Sequence, residues 1–243
     1  MQSWGLTDQG CVRKQNQDAY KMEQLDRSSI LGVVCDGMGG AKSGNIASSL
    51  AVEVFVQEVK QSWKPNLSQD KIDQILRSAV KLANFTVFDQ SQQFEEFDGM
   101  GTTLVAVLIH GKKATVVNVG DSRAYGIDES GIRQVTKDHS LVQMMVERGD
   151  LKPEQAKTYP GKNFITRAVG TEPIVMCDIY HWDVSKGDYL LLCSDGLSNL
   201  MDDQEILFEV VHGVNKQHCC KRLLSIAQNR GAPDNVTSVL ILV

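Results

Sequence analysis

The sequence predicts an α+β fold in which two β-sheets are covered by pairs of helices. Short apolar runs bounded by glycine and aspartate have the length of strands, and they occur in groups instead of alternating strictly with helices. Two blocks with helical periodicity interrupt these groups, which favours stacked sheets over a parallel doubly wound sheet. With 243 residues and 42% hydrophobic content, residues 1–243 are expected to form one domain.

The predicted strands are short apolar segments that end in turn-forming residues. They cover residues 3–6, 19–24, 30–35, 102–109, 114–119, 123–127, 174–182, 189–193 and 236–243. A polar, helix-prone stretch without a strand pattern lies between two of these groups, at about residues 141–166. This stretch is expected to form a flap inserted over the surface.

The helical blocks are predicted from apolar residues that recur at helical spacing. The first block covers residues 45–63 and 68–92. In the second block, Asp202 and Glu205 form a capping-box pattern ahead of an apolar run. A further helix is predicted over residues 217–228, and the glycine and proline that follow this segment are expected to end it.

Composition and charge exclude several classes of function. The 25 basic and 30 acidic residues are spread along the chain, so no basic stripe is available to follow a nucleic-acid backbone. The N-terminus lacks a secretory signal pattern, and no apolar run is long enough to span a membrane. The six cysteines have no zinc-site spacing and are expected to be reduced. These features predict a cytoplasmic monomer that binds neither nucleic acid nor membranes.

Four strongly apolar segments carry an aspartate at one end. Asp36, Asp121 and Asp195 follow predicted strands, and Asp234 precedes the last one. Carboxylates held together at strand ends repel one another unless cations lie between them. Oxygen ligands suit hard ions such as Mg²⁺ or Mn²⁺, and a pair of such ions fits hydrolysis of a phosphate ester. The alternative, that these aspartates only mark turns, explains any single position better than it explains all four.

The glycine-rich segment 37–43 contains a Lys-Ser pair, a combination that also occurs in phosphate-binding loops. It fits neither pattern, because Ala41 stands where a P-loop needs glycine and Lys42 stands where a dinucleotide fingerprint needs one. The glycines would instead let the backbone pass close to an ion, with the carbonyl of Gly37 free to act as a ligand.

Eight short motifs connect the chain to a known family. They are Arg13-Lys14-Gln15-Asn16-Gln17-Asp18, Val34-Cys35-Asp36-Gly37-Met38-Gly39-Gly40, Gly101-Thr102-Thr103, Gly120-Asp121-Ser122-Arg123-Ala124, Asp138-His139-Ser140, Thr166-Arg167-Ala168-Val169-Gly170, Ser194-Asp195-Gly196-Leu197 and Asp234-Asn235-Val236-Thr237. In these residues and their order the chain resembles the metal-dependent protein serine/threonine phosphatases of the phosphatase 2C type, in their short bacterial form. The resemblance implies a four-layer α-β-β-α sandwich of two mainly antiparallel sheets flanked by helix pairs.

The resemblance also implies the metal ligands. Asp36 would bridge two ions, the carbonyl of Gly37 would complete one shell, and Asp195 and Asp234 would bind the other ion. Asp18 would act through metal-bound water. The two ions would be Mn²⁺ or Mg²⁺, since both accept the same oxygen ligands.

Further roles follow from the same resemblance. Arg13 would grip the phosphate oxygens, which its planar guanidinium suits better than a lysine would. Asp121 would share a third, weaker ion with Asp195. Arg13, Asp36, Asp195 and Asp234 are therefore the implied catalytic residues. The implied reaction is hydrolysis of phosphoserine and phosphothreonine by in-line attack of a hydroxide bridging two metals, reversing a partner kinase.

The proton donor for the leaving oxygen is left open. Met38 and Ala41 occupy positions where many members of the family carry histidine, so metal-bound water is one alternative. His139 is another, although a structural role in which it holds a loop is favoured. Asn235 and His139 are both expected to support the metal ligands from outside.

Two other functions compete with this prediction. A phosphatase-like scaffold without catalysis is expected to lack ligands, whereas Arg13, Asp36, Asp195 and Asp234 are all present. A metal-dependent nuclease or other phosphodiesterase is disfavoured by the acidic balance of the chain. Comparing the hydrolysis of a phosphopeptide with that of a phosphodiester distinguishes a protein phosphatase from this last alternative.

Overall fold

Two stacked antiparallel β-sheets form the centre of the molecule, and helices cover the outer face of each sheet. The computed structural model describes residues 1–39, 43–156 and 158–243. Gly40, Ala41 and Lys42 of the glycine-rich segment, and Lys157 of the predicted flap, lie outside the described residues. The predicted four-layer α-β-β-α fold is confirmed.

Along the chain, runs of consecutive strands are separated by runs of helices. The strands are β1 (Gln2–Asp8), β2 (Asp18–Asp26), β3 (Ser29–Met38), β4 (Gly101–Thr102), β5 (Leu104–His110), β6 (Lys113–Val119), β7 (Arg123–Asp128), β8 (Gly131–Gln134), β9 (Asp178–Asp183), β10 (Tyr189–Cys193) and β11 (Val236–Leu242). The helices are α1 (Gly44–Ser62), α2 (Gln69–Gln93), α3 (Leu141–Arg148), α4 (Pro153–Ala156), α5 (Asp195–Ser198), α6 (Asp203–His212) and α7 (Cys219–Asn229). None of the helices in the described ranges combines the length and apolarity needed to cross a bilayer.

The strand order places the first and last strands of the chain side by side. One sheet has the order β1-β11-β10-β7-β8, and the other has the order β2-β3-β5-β6-β9 with β4 paired to the end of β3. These pairings are antiparallel. As a result, the end of β10, the start of β11 and the end of β3 lie close to the N-terminal segment.

Three apolar cores hold the layers together. The inner faces of the two sheets meet around side chains such as Val34, Val105 and Leu192. Helices α1 and α2 pack on the second sheet through residues including Phe55, and α6 and α7 pack on the first sheet. Burial of each large apolar side chain contributes about 1.5–3 kcal/mol, so these cores hold the strand ends firmly in place.

A local sequence signal accounts for the start of α6. Asp202 caps α6, its carboxylate accepting a hydrogen bond from the Glu205 N–H at 2.9 Å, while the Glu205 carboxylate accepts from the Asp202 N–H at 3.0 Å. The predicted capping box is therefore confirmed. The predicted helices over 45–63, 68–92 and 217–228 are also present, with boundaries that agree within two residues.

Two strand predictions were incomplete. The short strand β8 was not predicted, and the strand predicted over 174–182 begins only at Asp178. The preceding segment is held against α2 instead. Nη1 of Arg77 donates to the Cys177 carbonyl at 3.1 Å, and the Asn84 side-chain amide donates to the carbonyls of Glu172 and Pro173 at 3.0 and 3.3 Å. A carbonyl that already accepts a side-chain hydrogen bond contributes less to a sheet ladder.

Two adjacent backbone contacts join the two ends of the predicted flap where it leaves the body of the protein. Ser140 and Ile165 form an isolated antiparallel bridge, and the Leu141 N–H donates to the Phe164 carbonyl at 2.8 Å. Helices α3 and α4 lie between these contacts, and Ser140 caps α3 by accepting from the Gln143 N–H at 3.3 Å. The segment thus has a closed base and helical content within about residues 141–166.

Candidate metal centre

The five predicted metal-binding aspartates come together at one end of the sandwich. Four of them line one cavity of about 670 Å³ together with other predicted residues, namely Arg13, Asp36, Gly37, Asp121, Asp195 and Asp234. The fifth, Asp18, begins β2 directly opposite Asp36 on β3. The fold therefore gathers residues that are up to 221 positions apart in the chain, because the strand ends that carry them meet there.

Asp36 is fixed by two threonines that interrupt the neighbouring strand. Its carbonyl accepts hydrogen bonds from the Thr103 N–H at 2.8 Å and the Thr102 hydroxyl at 2.9 Å. Its own N–H donates to the Thr103 hydroxyl at 2.9 Å. These contacts explain why the predicted strand over 102–109 is split into β4 and β5. Burial first, and then the charges of Asp18 and Asp195, raise the pKa of Asp36 well above its usual range.

Asp18 uses only one of its two carboxylate oxygens within the protein. Its Oδ2 accepts hydrogen bonds from the hydroxyls of Thr237 at 2.6 Å and Ser194 at 2.8 Å. Its Oδ1 is buried and has no hydrogen-bond partner among the described residues. Burial raises the pKa of Asp18 to about 6. A buried carboxylate oxygen without a donor is costly unless a cation or an ordered water satisfies it.

Asp121 follows a turn that requires glycine. Gly120 has φ +105°, and a Cβ at that position would lie 2.6 Å from the Thr103 side chain. Burial, followed by the charges of Asp195 and Asp138, raises the pKa of Asp121 to about 7. Asp121 therefore lies at the edge of the same repulsive group of carboxylates.

Asp195 and Asp234 complete the group from the ends of β10 and β11. Asp195 begins α5, and its Oδ2 accepts from the Asn199 side-chain amide at 3.0 Å, while its buried Oδ1 has no partner among the described residues. Burial and the nearby charge of Asp234 raise the pKa of Asp195. Asp234 accepts from the Asn235 N–H at 2.8 Å, which orients its carboxylate.

Arg13 pairs with one of the predicted metal ligands. Its Nη2 lies 2.7 Å from Oδ2 of Asp234, although about half of the Arg13 side chain is exposed. The hydrogen bond to Asp234 raises the pKa of Arg13, with smaller contributions from Asp36 and Asp195. The guanidinium thus supplies positive charge to the carboxylate group and remains accessible from the cavity.

Asn235 connects the loop that carries Arg13 to the start of β11. Its side-chain oxygen accepts from the Gln17 N–H at 2.8 Å. Its side-chain amide donates to the carbonyls of Gln9 at 2.8 Å and Gln15 at 2.9 Å. These three contacts join the start of β11 to the loop that carries Arg13 and so hold Arg13 near Asp234.

The donor set suits hard divalent cations. It consists of carboxylate oxygens and the backbone at Gly37, where a Cβ would lie 2.0 Å from the Gly44 carbonyl and so could not be accommodated. Oδ1 of Asp18 and Oδ1 of Asp195, which have no hydrogen-bond partner among the described residues, are available to coordinate a cation. Within the described residues, no three His, Cys, Asp or Glu side chains are already arranged to hold an ion by themselves. Mg²⁺ keeps several of its water ligands when it binds to protein carboxylates, so water would complete the coordination of that ion.

His139 lies behind the turn and away from the cavity. Its ring Nδ1 accepts from the Gly120 N–H at 3.0 Å, and its Nε2 lies 3.1 Å from Nη1 of Arg167 and 3.4 Å from Oδ2 of Asp178. Burial and the charge of Arg167 lower its pKa. Because both ring nitrogens are engaged, this geometry favours the structural role of His139 over that of proton donor.

A second cavity of about 740 Å³ adjoins the first under the flap. The two cavities share Asp121, Asp195 and Asn163. One wall of the second cavity is formed by flap residues such as Val142, and the opposite wall is formed by residues that include Asp203. Sequence patterns assign no role to Asn163, because a lone asparagine in a polar segment has no distinguishing spacing.

The raised pKa values predict how the metal-free protein responds to pH. Because the pKa values of Asp18, Asp36, Asp121 and Asp195 lie above 3.8, the folded state binds more protons than the unfolded state. Stability is therefore lost as the pH rises above the usual value of 3.8 and through the folded-state values, which are about 6 for Asp18 and about 7 for Asp121. His139, whose pKa is lowered, opposes this trend, but it is one group against four.

Thermal unfolding of chelator-treated protein across this pH range measures the effect. We expect a higher melting temperature at about pH 5 than at about pH 8, and saturating Mn²⁺ should remove the difference. Metal-free protein that is most stable at the alkaline end would contradict the proposed carboxylate repulsion.

Comparison with known proteins gives a consistent result. The protein phosphatase 2C family model matches residues 12–228. The serine/threonine phosphatase stp of Listeria welshimeri is 33% identical over 239 residues, covering 97% of this chain and 93% of that protein. The crystal structure of serine/threonine phosphatase Stp1 from Staphylococcus aureus has a TM-score of 0.92 and 35% identity, covering 99% of this chain and 94% of the other.

A further solved structure contains metal. The catalytic domain of the phosphatase PstP, in complex with two manganese ions, has a TM-score of 0.84 and 31% identity, and it covers 98% of this chain and 96% of that one. The family model, the relatives and the shared fold all span nearly the whole sequence. The chain therefore belongs to the protein phosphatase 2C family of phosphoprotein hydrolases.

Proposed function

We propose that this protein hydrolyses phosphoserine and phosphothreonine in phosphoproteins, using two divalent cations held by its aspartate group. The observation that carries this proposal is the convergence of five largely buried aspartates beside the exposed guanidinium of Arg13. Relatives named serine/threonine phosphatase, and PstP with its two manganese ions, support it. The substrates would be proteins phosphorylated by a partner serine/threonine kinase.

Each residue of the site has a distinct task in this proposal. Asp36, Asp195, Asp234 and the carbonyl of Gly37 would hold the two ions, with Asp18 supporting them through water. Bound there, the cations would lower the pKa of a water molecule and offset the negative charge of the phosphate. Fixed strand ends keep these oxygens in place during the reaction, so little reorganisation is required.

The remaining groups act on the substrate. Arg13 would exchange its contact with Asp234 for the phosphate oxygens, holding the ester with its phosphorus open to in-line attack by water. The bond between phosphorus and the serine or threonine oxygen then breaks, and that oxygen takes up a proton. Asp121 and Asp195 both line the junction of the two cavities, through which the leaving side chain would depart into the second cavity.

A hydrolysis assay tests the proposal directly. A phosphoserine or phosphothreonine peptide is incubated with the protein in the presence of Mn²⁺, Mg²⁺ or chelator, and phosphate release is measured. We expect release with at least one of the two cations and none with chelator. A bis-ester substrate is included as a second arm, and faster cleavage of the diester than of the phosphopeptide would support the phosphodiesterase alternative.

Replacing Arg13 by alanine is expected to raise KM for a small phosphate ester by about 10- to 100-fold. This range corresponds to loss of a charged hydrogen bond worth about 1.5–3 kcal/mol. A clamp that acts equally on bound substrate and transition state changes KM more than kcat. Steady-state kinetics with a chromogenic ester measures both constants.

The matched control for this prediction is Lys14→Ala, which removes a neighbouring positive charge that lines the same cavity. If both substitutions raise KM equally, Arg13 contributes only general electrostatic attraction for the phosphate and does not bind it specifically. An unchanged KM in the Arg13→Ala variant would remove Arg13 from phosphate binding.

We propose in addition that the flap over about residues 141–166 selects phosphoprotein substrates without taking part in the chemistry. Phe164 is 66% exposed at the base of the flap, where it is available for contact with a protein. Phe164→Ala is expected to lower kcat/KM on a phosphoprotein while leaving the rate on a small ester unchanged. Phe208→Ala on α6, where the side chain is 60% exposed, serves as the control. Equal losses on both substrates in the flap variant would mean that the flap helps to build the catalytic centre.

A further inference from the structure

A chain of hydrogen-bonded side chains leads from the first strand to Asp18. The side-chain amide of Asn16 donates to the Thr7 hydroxyl at 2.8 Å. The Thr7 and Thr237 hydroxyls lie 2.7 Å apart, across the register that pairs β1 with β11. The Thr237 hydroxyl then reaches Oδ2 of Asp18 at 2.6 Å.

The direction of this chain follows from the chemistry of its two ends. The Asn16 side-chain oxygen accepts from the Asp18 N–H at 3.1 Å, so the other end of that amide is its NH₂ group, which can only donate. An ionised carboxylate can only accept, so the single hydroxyl proton of Thr237 goes to Asp18. Thr7 therefore donates to Thr237, and every donor in the chain points toward Asp18. Hydrogen bonds aligned in this way polarise and strengthen one another.

A second hydroxyl ends on the same oxygen. Ser194 donates to Oδ2 of Asp18 at 2.8 Å, and its own oxygen accepts from the Thr237 N–H at 3.0 Å. The Ser194 and Thr237 side chains are fully buried, and Asp18 is 9% exposed. Oδ2 thus receives two hydroxyl protons that water cannot easily replace, whereas Oδ1 receives no hydrogen bond from the described residues.

We propose that Thr7, Thr237 and Ser194 are positioning residues that anchor Oδ2 of Asp18 and reserve Oδ1 for the metal centre. The inference rests on the proposed function, in which Asp18 supports the bound ions through water. Without the hydroxyls, the carboxylate could rotate about its side-chain bonds, and both of its oxygens would lack a fixed orientation. Ser194 and Thr237 belong to motifs that the chain shares with the family, whereas Thr7 lies outside residues 12–228, which the family model matches.

Calorimetric titration with Mn²⁺ tests the proposal on the full-length protein. Thr237→Val keeps the shape of the side chain but removes the hydroxyl, and we expect it to weaken Mn²⁺ binding by about 10- to 100-fold, as is common when a group supporting a ligand is lost. Thr237→Ser restores a hydroxyl and should recover the wild-type affinity. Thr7→Val should give a smaller loss, because it removes only the polarising donor.

The control is Ser238→Ala, which removes a neighbouring, fully buried hydroxyl on β11 that makes no contact with Asp18. It should leave Mn²⁺ affinity unchanged. Wild-type affinity in Thr237→Val, or an equal loss in Thr237→Ser or Ser238→Ala, would overturn the proposal. If Thr237→Val fails to fold, Ser194→Ala removes the other donor and should give a comparable loss, and unchanged affinity there would likewise overturn it.

The wild-type titration separates this inference from the proposed function. If wild-type protein binds no Mn²⁺ and releases no phosphate, then the proposed function itself fails. If wild type binds Mn²⁺ and hydrolyses the phosphopeptide but the hydroxyl variants match it, only the positioning role fails.

Discussion

An Asp36→Asn variant is expected to lose hydrolysis of both phosphopeptides and small phosphate esters and to lose tight Mn²⁺ binding. Asp36 lies at the centre of the aspartate group, where the charges of Asp18, Asp195, Asp121 and Asp234 all act on it. Removing its charge leaves bound cations without their shared counter-charge. Breaking a buried charge pair costs about 3–5 kcal/mol, which corresponds to a loss in affinity of about 100- to 5,000-fold.

The same substitution should stabilise the metal-free protein. Burial and four neighbouring charges disfavour the ionised form of Asp36, so a neutral side chain of the same shape relieves repulsion in the folded state. For a chain of this size, each kcal/mol gained raises the melting temperature by about 2–4 °C. A higher melting temperature together with lost activity would exclude misfolding as the cause of the loss.

Calorimetry and thermal unfolding of wild type, Asp36→Asn and Asp183→Asn give the required comparison. Asp183 is an exposed aspartate paired with Lys113 on the surface, so its replacement removes the same charge without touching the site. Two intact tight Mn²⁺ sites in Asp36→Asn would refute the bridging role of Asp36.

Replacing Asp121 by alanine is expected to reduce kcat by about 100-fold or more while two tight metal sites remain. Asp121 follows its glycine at the edge of the group and lines both cavities, so its carboxylate is placed to act on the leaving oxygen. Its contribution would be to orient a proton donor, directly or through a weaker third ion shared with Asp195. One carboxylate and a shared one provide little charge to dehydrate an ion, so binding at that position should be weak.

His139→Ala distinguishes the two candidate sources of the proton. The His139 ring accepts a hydrogen bond from the Gly120 N–H, and Asp121 is the next residue in the chain. Loss of the ring should therefore lower thermal stability and disturb the position of Asp121 indirectly. We expect the Asp121→Ala variant to have a melting temperature at least as high as that of wild type and to lose turnover, whereas the His139→Ala variant should lose both thermal stability and turnover in proportion. Near-normal turnover in an Asp121→Ala protein that binds two metals would return the proton-donor role to His139.

Much of the site could be predicted because the signals are local. An aspartate at the end of an apolar strand, such as Asp36 or Asp195, is visible in a few residues, and several of them together predict a cation site. The same holds for the capping box at Asp202, whose two partners are three residues apart. The strand over 174–177 was predicted wrongly because its apolar pattern cannot reveal that Arg77, 100 residues earlier, donates to the Cys177 carbonyl.

The sequence by itself determined the grouping of strands and helices, the aspartates at the strand ends and, through its motifs, the family. These depend on burial periodicity and short spacings, which are properties of neighbouring residues. Only the tertiary structure decided that Arg13 pairs with Asp234, 221 positions away, that Thr7 meets Thr237, 230 positions away, and that His139 is turned toward Gly120. Such contacts follow from the register of the paired strands and the packing of the layers, because these bring together residues between which the sequence contains no local signal.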